Sequence, residues 1–266
     1  MKKILKKIGR TVTGDSSEVL ITPKGARFGN LLYFFLRACI YKSEGRSLKI
    51  LETSHFSEII KLFPKLAEFV ITENEVKFYH HKDAENNFYQ VFGSHFNNDQ
   101  LNHFIEIYLI GSIEPLHKVP SELCINVRRG DFYEQGNSSI YGYDQIGFLK
   151  HVFEKHLNSK CFQNIKIISD NMLWCKEELS FLNKYTDQLI FPTLENSIED
   201  GFKEVINSKA LILSNSTFSF WAAYISNFIF NNTSQTYCPI FGSRKISNTD
   251  LYQTNPSWNI ISDFNF

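Results

Sequence analysis

The apolar residues of this chain fall into short runs that alternate with stretches of helical, amphipathic periodicity. Short apolar runs bounded by turn residues are typical of buried strands, and apolar positions three or four apart are typical of helices. In the first half, this pattern predicts strands at residues 18–22, 47–51, 76–79 and 88–92 and helices at residues 31–42, 57–62 and 99–110. Pro64 is expected to stop the second helix.

The second half of the chain repeats the alternation more regularly. It predicts strands at residues 123–127, 165–168, 188–191 and 210–213 and helices at residues 145–157, 174–183, 198–207 and 218–225. Strands that alternate with helices indicate an α/β fold with a doubly wound parallel sheet. Residues 111–120, with Pro115 and Pro120, predict a linker between two domains, 1–115 and 116–266. Residues 258–261 are expected to pack back on the body of the protein.

Two arginines interrupt the apolar pattern at the segment Leu123-Cys-Ile-Asn-Val-Arg-Arg-Gly-Asp131. They follow a predicted strand, and ligands of α/β proteins bind at the carboxyl ends of strands. A guanidinium there needs an anionic partner, and its fork matches phosphate oxygens. Gly130 would let the backbone approach a bound group. A phosphate-bearing ligand is the leading interpretation. Structural ion pairs of Arg128 and Arg129 with nearby carboxylates are the alternative, and an Arg-Gly-Asp adhesion motif is disfavoured because it needs an exposed loop tip.

Composition narrows the class of protein. The 28 basic residues balance the 28 acidic ones, which argues against a nucleic-acid binder that relies on bulk positive charge. The five cysteines are scattered, and no Cys-x-x-Cys or Cys/His cluster indicates a metal site. Free thiols in a reducing cytoplasm are therefore expected.

No run approaches the 18 or so apolar residues that a spanning helix needs. Residues 1–10 carry five positive charges among apolar residues and lack the apolar core of a signal peptide. As a basic amphipathic helix they could contact an anionic membrane; a solvated, flexible terminus is the alternative. We therefore expect a cytoplasmic protein, with peripheral contact to the inner face of the plasma membrane through residues 1–10.

Four segments, in order, resemble motifs of the α-1,2-fucosyltransferases, glycosyltransferase family 11. Gly25-Ala-Arg-Phe-Gly-Asn-Leu-Leu-Tyr33 resembles GRLGNQLFQY, and the arginine pair falls in the register of HxRRGD. Ile167-Ile-Ser-Asp-Asn-Met-Leu-Trp-Cys-Lys176 resembles the SDD…WCK motif. Leu213-Ser-Asn-Ser-Thr-Phe-Ser-Phe-Trp-Ala-Ala223 resembles ANSSFSWWGA. The resemblance spans about residues 25 to 225.

The sequence departs from these motifs at four positions. Asn126 stands where the family has histidine, Leu31 where it has glutamine, Asn171 where it has a second aspartate, and Phe220 where it has tryptophan. In related fucosyltransferases the histidine position lies near the guanine base, so Asn126 bears on the choice of nucleotide sugar, and Leu31 bears on the acceptor.

The resemblance implies a GT-B-like α/β fold, with two Rossmann-like parallel-sheet domains facing a cleft. The N-terminal domain would be on the acceptor side, and the C-terminal domain would bind the nucleotide sugar. The sequence has no Asp-x-Asp motif, and the family works without a metal or another cofactor. Arg128, the catalytic residue, would stabilise the leaving diphosphate together with the helix start at Ser216 and Thr217, where the helix dipole and free N–H groups favour an anion.

The resemblance and the predicted turns together give a set of candidate site residues. The donor-binding candidates are Asn126, Arg128, Arg129, Asp131, Asp170, Asp200, Ser216, Thr217 and Ser219. The candidates of the N-terminal cleft, placed in a strand-to-helix turn, are Arg27, Gly29 and Asn30.

Several of these candidates also have structural interpretations. Asp170 is a candidate to bind ribose or a base amino group, to orient Arg128, or to form a structural ion pair. Ser216 is alternatively an ordinary helix N-cap, and Arg27 a partner of the C-terminal tail. Trp174 and Trp221 are expected in the core. The general base stays open among Asp131, Glu134, His55, His80 and His81.

The expected function is inverting transfer of L-fucose from GDP-β-L-fucose to a galactose-type hydroxyl of a glycan, within bacterial surface-polysaccharide or lipopolysaccharide synthesis. A same-fold transferase using another nucleotide sugar is one alternative, motivated by Asn126. A non-catalytic nucleotide- or glycan-binding protein is the other.

Overall fold

A computed structural model describes residues 17–84, 87–113, 119–193, 198–245 and 254–266 of the chain. The chain divides into two compact units, Met1–Glu114 and Pro115–Phe266. The predicted amphipathic segment, residues 1–10, lies outside the described residues, and so do residues 114–118 of the predicted linker.

The first unit contains a four-stranded sheet in which all neighbouring strands are parallel, in the order β3-β2-β1-β4. Parallel strands need long crossover connections, and here helices supply them. The strands are β1 (Glu18–Leu20), β2 (Leu48–Leu51), β3 (Val70–Ile71) and β4 (His81–Asp83). The helices are α1 (Phe28–Ser43), α2 (Phe56–Leu62) and α3 (Asn98–Phe104), and α3 continues into a π-turn at Ile105–Leu109. The helix α1 is buried along most of its length because its sequence is almost continuously apolar.

Two predicted strands of the first unit are wrong. Residues 76–79 form no strand, because Lys77 closes a local turn with His80 through backbone and ring hydrogen bonds. Residues 88–92 form only a single bridge, from Phe92 to Phe96. Tyr89 there has a positive φ of 54°, and Asn87 accepts a hydrogen bond from its N–H. Side chains take the backbone bonds that a neighbouring strand would need.

The second unit contains a six-stranded, wholly parallel sheet in the order β10-β9-β8-β5-β6-β7. Counted within the unit, this is the 3-2-1-4-5-6 order of a Rossmann-type sheet. The strands are β5 (Leu123–Val127), β6 (Phe162–Ser169), β7 (Thr186–Ile190), β8 (Leu211–Ile212), β9 (Thr236–Pro239) and β10 (Asn259–Ile261). The helices are α4 (Ser138–Tyr141), α5 (Gln145–His151), α6 (Met172–Glu178), α7 (Ile198–Ile206) and α8 (Thr217–Phe230). The predicted α/β class with parallel sheets in both halves is confirmed.

Two features of the second unit differ from the predicted elements. The helix predicted over residues 145–157 ends in a π-turn at Val152–His156. The strand β9 was not predicted, since it is short and ends in a proline, which weakens the strand signal. Residues 258–261 do pack back, because β10 pairs in parallel with β9.

The order of the strands fixes where this unit can hold a ligand. Starting from β5, the chain builds β6 and β7 on one side and then crosses to build β8, β9 and β10 on the other. The reversal leaves a crevice outside the carboxyl ends of the adjacent strands β5 and β8. The sequence segments that follow these two strands are therefore the ones that can contact a ligand there.

Within the described part of the chain, no helix is both long and apolar enough to cross a membrane. All five cysteines are free thiols, as predicted, and four of them are buried.

The core of the second unit depends on its central strand, and this predicts a stability effect. Ile125 of β5 is fully buried between Ile167 and Ile212 on the neighbouring strands. Ile125→Ala is expected to lower the free energy of unfolding by about 2–5 kcal/mol, because it leaves a cavity. The control Ile229→Ala, with 38% of the residue exposed, should change it by less than about 0.5 kcal/mol. Urea unfolding followed by tryptophan fluorescence measures both, since all three tryptophans lie in this unit. Equal effects would contradict the assignment of β5 to the core.

Candidate functional site

The carboxyl edge of the second sheet brings three predicted segments together. Arg128 follows β5, Asp170 follows β6, and the residues from Ser214 onwards follow β8. Nη1 of Arg128 lies 2.7 Å from Oδ2 of Asp170, and Nη2 pairs with Oδ1 of Asp131. Arg128 thus makes the carboxylate ion pairs that the alternative interpretation describes. Of the two carboxylates, Asp131 is the more exposed, with 56% of its side chain accessible against 26% for Asp170.

The side chain of Arg128 is partly exposed at its end and buried nearer the backbone. About a third of its side chain is exposed, whereas its Nε is buried and has no hydrogen-bond partner among the described residues. The backbone carbonyl of Arg128 accepts a hydrogen bond of 2.8 Å from Nε2 of Gln145. The fork therefore presents its two Nη groups, each bound to a carboxylate, at the exposed end.

Asp170 organises the turn that follows β5. Its Oδ1 accepts a 2.7 Å hydrogen bond from the N–H of Arg129, while its other oxygen pairs with Arg128. A Cβ atom at Gly130 would clash with this carboxylate. Gly130 was expected to make room for a bound group; in the structure it makes room for Asp170.

Arg129 is positioned by aromatic rings. Its guanidinium carbon lies 3.5 Å from the ring centre of Tyr133 and 4.1 Å from that of Trp174, which are cation–π distances. Burial raises the pKa of the Tyr133 hydroxyl, which donates a 2.7 Å hydrogen bond to the carbonyl of Tyr143. Arg129 was predicted as a donor-binding residue, and its described contacts are with these rings. Trp174 was predicted in the core; it is partly buried and packs against the outside of the hydrophobic core of this unit.

Asn126 faces the interior of the unit. Asn126 is 7% exposed, and its Nδ2 donates a 3.1 Å hydrogen bond to the carbonyl of Ile168. Its Oδ1 lies within hydrogen-bonding distance of the hydroxyls of Ser214 and Ser219, whose oxygens are 2.7 Å apart, so the two hydroxyl protons serve three contacts. This network ties β5 to β6, to the end of β8 and to α8. Asn126 and Ser219 were predicted to bind the donor directly, and the structure instead commits both side chains to internal bonds.

The helix α8 begins beside this network. Ser216 is its N-cap, yet its hydroxyl makes no capping hydrogen bond, so the ordinary capping role is not present. Thr217 is the first helical residue and is partly exposed. Asn215, which sequence analysis missed, donates to the carbonyls of Tyr141 and Gly242 while its Oδ1 is buried without a partner among the described residues. Its position in the segment that resembles the ANSS motif could have identified Asn215 from the sequence.

Asp200 is the remaining donor-binding candidate of the second unit. Asp200 lies in the first turn of α7 and is exposed. None of the described contacts of Arg128 involves it.

In the first unit, the predicted strand-to-helix turn is shorter than expected. The helix α1 begins at Phe28, so Gly29 and Asn30 lie within its first turn and only Arg27 lies outside, as the N-cap. Gly29 is buried, and Asn30 accepts a 2.8 Å hydrogen bond from Gln90. The described contact of Arg27 is a 2.5 Å hydrogen bond from Nη1 to Nε2 of His55.

Among the candidate general bases, three already have roles in the structure. Asp131 pairs with Arg128, His55 bonds to Arg27, and His80 is buried with its ring accepting from the backbone of Lys77. The geometry singles out no base.

Comparison with known proteins gives the family. The model of glycosyl transferase family 11 matches residues 48–235, which is well over half of the chain. Among solved structures, the chain is similar to POFUT1 in complex with GDP, with 10% identity over 83% of this chain and 98% of that chain and a TM-score of 0.48. It is also similar to E. coli heptosyltransferase WaaC with ADP, with 11% identity over 84% of this chain and 87% of that chain and a TM-score of 0.44. No curated protein matches the chain. On the extent of the family match, the chain belongs to glycosyl transferase family 11.

Proposed function

We propose that the protein is an inverting, metal-independent fucosyltransferase that transfers L-fucose from GDP-β-L-fucose to a galactose-type hydroxyl of a surface glycan. Membership of family 11 supports glycosyl transfer. The observation that carries the finer proposal is the position of Arg128 at the carboxyl end of β5, two residues after the Asn126 that bonds to the end of β8. An arginine at the point where the strand order reverses is well placed for a diphosphate.

In the proposed reaction, the bond between the sugar carbon and the diphosphate oxygen breaks as the acceptor oxygen bonds to the opposite face of that carbon. GDP leaves with the electron pair, the acceptor hydroxyl loses its proton to a base, and the β-linked sugar becomes α-linked. Negative charge grows on the diphosphate, so donors fixed in advance near it lower the barrier. Arg128 is the proposed donor.

The carboxylates beside Arg128 have different proposed roles. Asp170 holds the guanidinium and the Arg129 N–H at once, which fixes the direction of the fork. Asp131 is the more exposed partner and sits on the other Nη group. We infer that the diphosphate takes the place of Asp131 on that group, because an anion and a carboxylate would repel each other there.

The start of α8 is the second proposed anion contact. The Ser216 hydroxyl, which makes no capping hydrogen bond, Thr217 and the N-terminal end of the helix offer donors with a favourable helix dipole. Asn126 and Ser219 would act by positioning β5 against this helix start. Roles of Asp200, Arg27, Gly29 and Asn30 toward substrate, and membrane contact by residues 1–10, stay predictions.

Replacing Arg128 tests the proposal most directly. Arg128→Ala is expected to lower the transfer rate by roughly 10² to 10³, the usual effect of losing one transition-state donor. Arg128→Lys should also be strongly impaired, because it keeps the charge but loses the planar fork. The matched control is Arg46→Ala, which removes an exposed arginine paired with Glu18 in the first unit and should transfer at the parental rate. Thermal melting shows whether each variant is folded. A folded Arg128→Ala protein with parental activity would refute the assignment.

Titration with nucleotides tests the choice of donor. By calorimetry, GDP is expected to bind more tightly than UDP or CDP. Asn126→Ala should keep this order but lower the free energy of unfolding by about 1–3 kcal/mol, because it removes the hydrogen bonds of Asn126 to the Ile168 carbonyl and to the hydroxyls of Ser214 and Ser219. Equal affinity for the three nucleotides would favour a transferase with another donor. GDP binding without donor hydrolysis or transfer would favour a non-catalytic binding protein.

The absence of an Asp-x-Asp motif leads to a third test. With excess chelator and no added divalent ion, transfer is expected to continue at the parental rate at a temperature where melting shows the protein to be folded. Loss of transfer that magnesium or manganese restores, with the fold unchanged, would contradict the metal-independent mechanism.

A further inference from the structure

Two histidines and an aspartate converge away from the residues assigned to sugar transfer. Nε2 of His156 lies 2.9 Å from Oδ1 of Asp263, and Nε2 of His151 lies 3.0 Å from the same oxygen. All three atoms lie within 4.8 Å of one another. None of the described contacts links this cluster to Arg128.

The backbone at the end of α5 is what brings the histidines together. Residues five apart on a regular α-helix are rotated by about 140° from each other, so they face different directions. Here the chain after His151 forms a π-turn, Val152–His156, with wider i→i+5 hydrogen bonding. The wider turn puts residues five apart on one face, and single π-turns recur at functional sites.

The third group is held in place by the packing of the C-terminal segment. Asp263 follows β10, which pairs with β9. The next residue, Phe264, contacts the rings of Phe148 and His151, with centroids 5.7 Å and 5.6 Å apart. The carboxylate is thus delivered to the histidines by tertiary structure, although 55% of its side chain remains exposed.

One nitrogen of the cluster is unsatisfied. Nε2 of His151 is buried, and although Oδ1 of Asp263 lies 3.0 Å away, the two do not have the angles of a good hydrogen bond. A buried polar atom without a partner is costly. An ion placed among the three groups would give that nitrogen a partner.

We propose that His151, His156 and Asp263 bind a zinc ion that fastens the C-terminal segment to the end of α5. Two imidazole nitrogens and one carboxylate oxygen are ligands that suit Zn²⁺, with a water in the fourth position. Tetrahedral bonds of about 2.0–2.1 Å place ligand atoms about 3.3 Å apart. The two N–O separations are a few tenths of an ångström shorter, and an exposed carboxylate can move outward by that amount.

Sequence analysis did not find this site for a physical reason. A spacing of five residues is not a ligand spacing on an α-helix, and the aspartate is 107 residues further along the chain than His156. The π-turn and the pairing of β10 create the cluster, and neither has a sequence motif.

Calorimetric titration of the chelator-treated, dialysed full-length protein with zinc chloride tests the proposal. One equivalent is expected to bind and to raise the melting temperature. His156→Gln and Asp263→Asn should each weaken binding by at least roughly a hundredfold, since loss even of a group that only supports a ligand costs about 10–100-fold. The control is His103→Gln, an exposed histidine of the first unit, which should bind zinc as the parent does.

Cobalt gives a second readout that does not depend on stability. Co²⁺ added to the parent should produce visible absorption of a four-coordinate site, and His156→Gln should abolish it. Binding that is unchanged in both variants, or no binding by the folded parent, would overturn the proposal and leave a histidine–aspartate ion pair only. Neither result bears on sugar transfer, which the Arg128 variants test separately.

Discussion

The parallel pairing of β5 with both β6 and β8 is the constraint on which the candidate site depends. It sets the carboxyl ends of three strands side by side, although the segments that follow them are far apart in sequence. Asn126 reinforces this pairing at its end by bonding to the backbone of β6 and to serines beyond β8. Arg128 and the first turn of α8 each follow a strand whose carboxyl end this junction holds in place.

Electrostatics at the junction shape what Arg128 can do. A partly exposed guanidinium between two carboxylates has little net charge to offer an incoming anion until one carboxylate moves. Asp170 is tied down by a second hydrogen bond from the Arg129 backbone, whereas Asp131 lies on a short 3-10 turn and is more exposed. The competition between Asp131 and a diphosphate would make donor binding depend on this exchange. The cation–π contacts of Arg129 with Tyr133 and Trp174 would hold the turn after β5 in place during this exchange.

The sequence predicted the architecture well where one physical signal dominated. Strand β5 has the predicted bounds because five consecutive residues are buried on both faces of a parallel sheet. For Arg128 the sequence predicted an anionic partner, with a phosphate as the leading interpretation and a carboxylate, which the structure shows, as the alternative. The first unit was harder, since aromatic residues near Phe78 and Tyr89 resemble strands while turns and side-chain hydrogen bonds hold their backbone. The inward direction of Asn126 and the meeting of His151 and His156 with Asp263 depend on tertiary contacts, which the local sequence pattern does not encode.

The four departures from the family motifs can now be weighed by what each residue contacts. Asn171 is the N-cap of α6, and its side chain accepts a 3.1 Å hydrogen bond from the N–H of Trp174. Asparagine and aspartate are equally good N-caps, so this exchange keeps the local structure. Leu31 and Phe220 are buried in the helices α1 and α8, where they contribute packing.

Asn126 is the departure that bears on the proposed donor, and it too lies inside the protein. A small pocket lies beside it, and its lining includes Tyr143, Gln145 and Leu213. Histidine has one nitrogen to donate and one to accept in its neutral form, which matches the donor and acceptor bonds that Asn126 makes. The exchange can therefore preserve the link between β5 and α8 while leaving Arg128 and the start of α8 unchanged. On this argument the departures alter packing and capping, and the groups proposed to hold the diphosphate are the ones the chain retains.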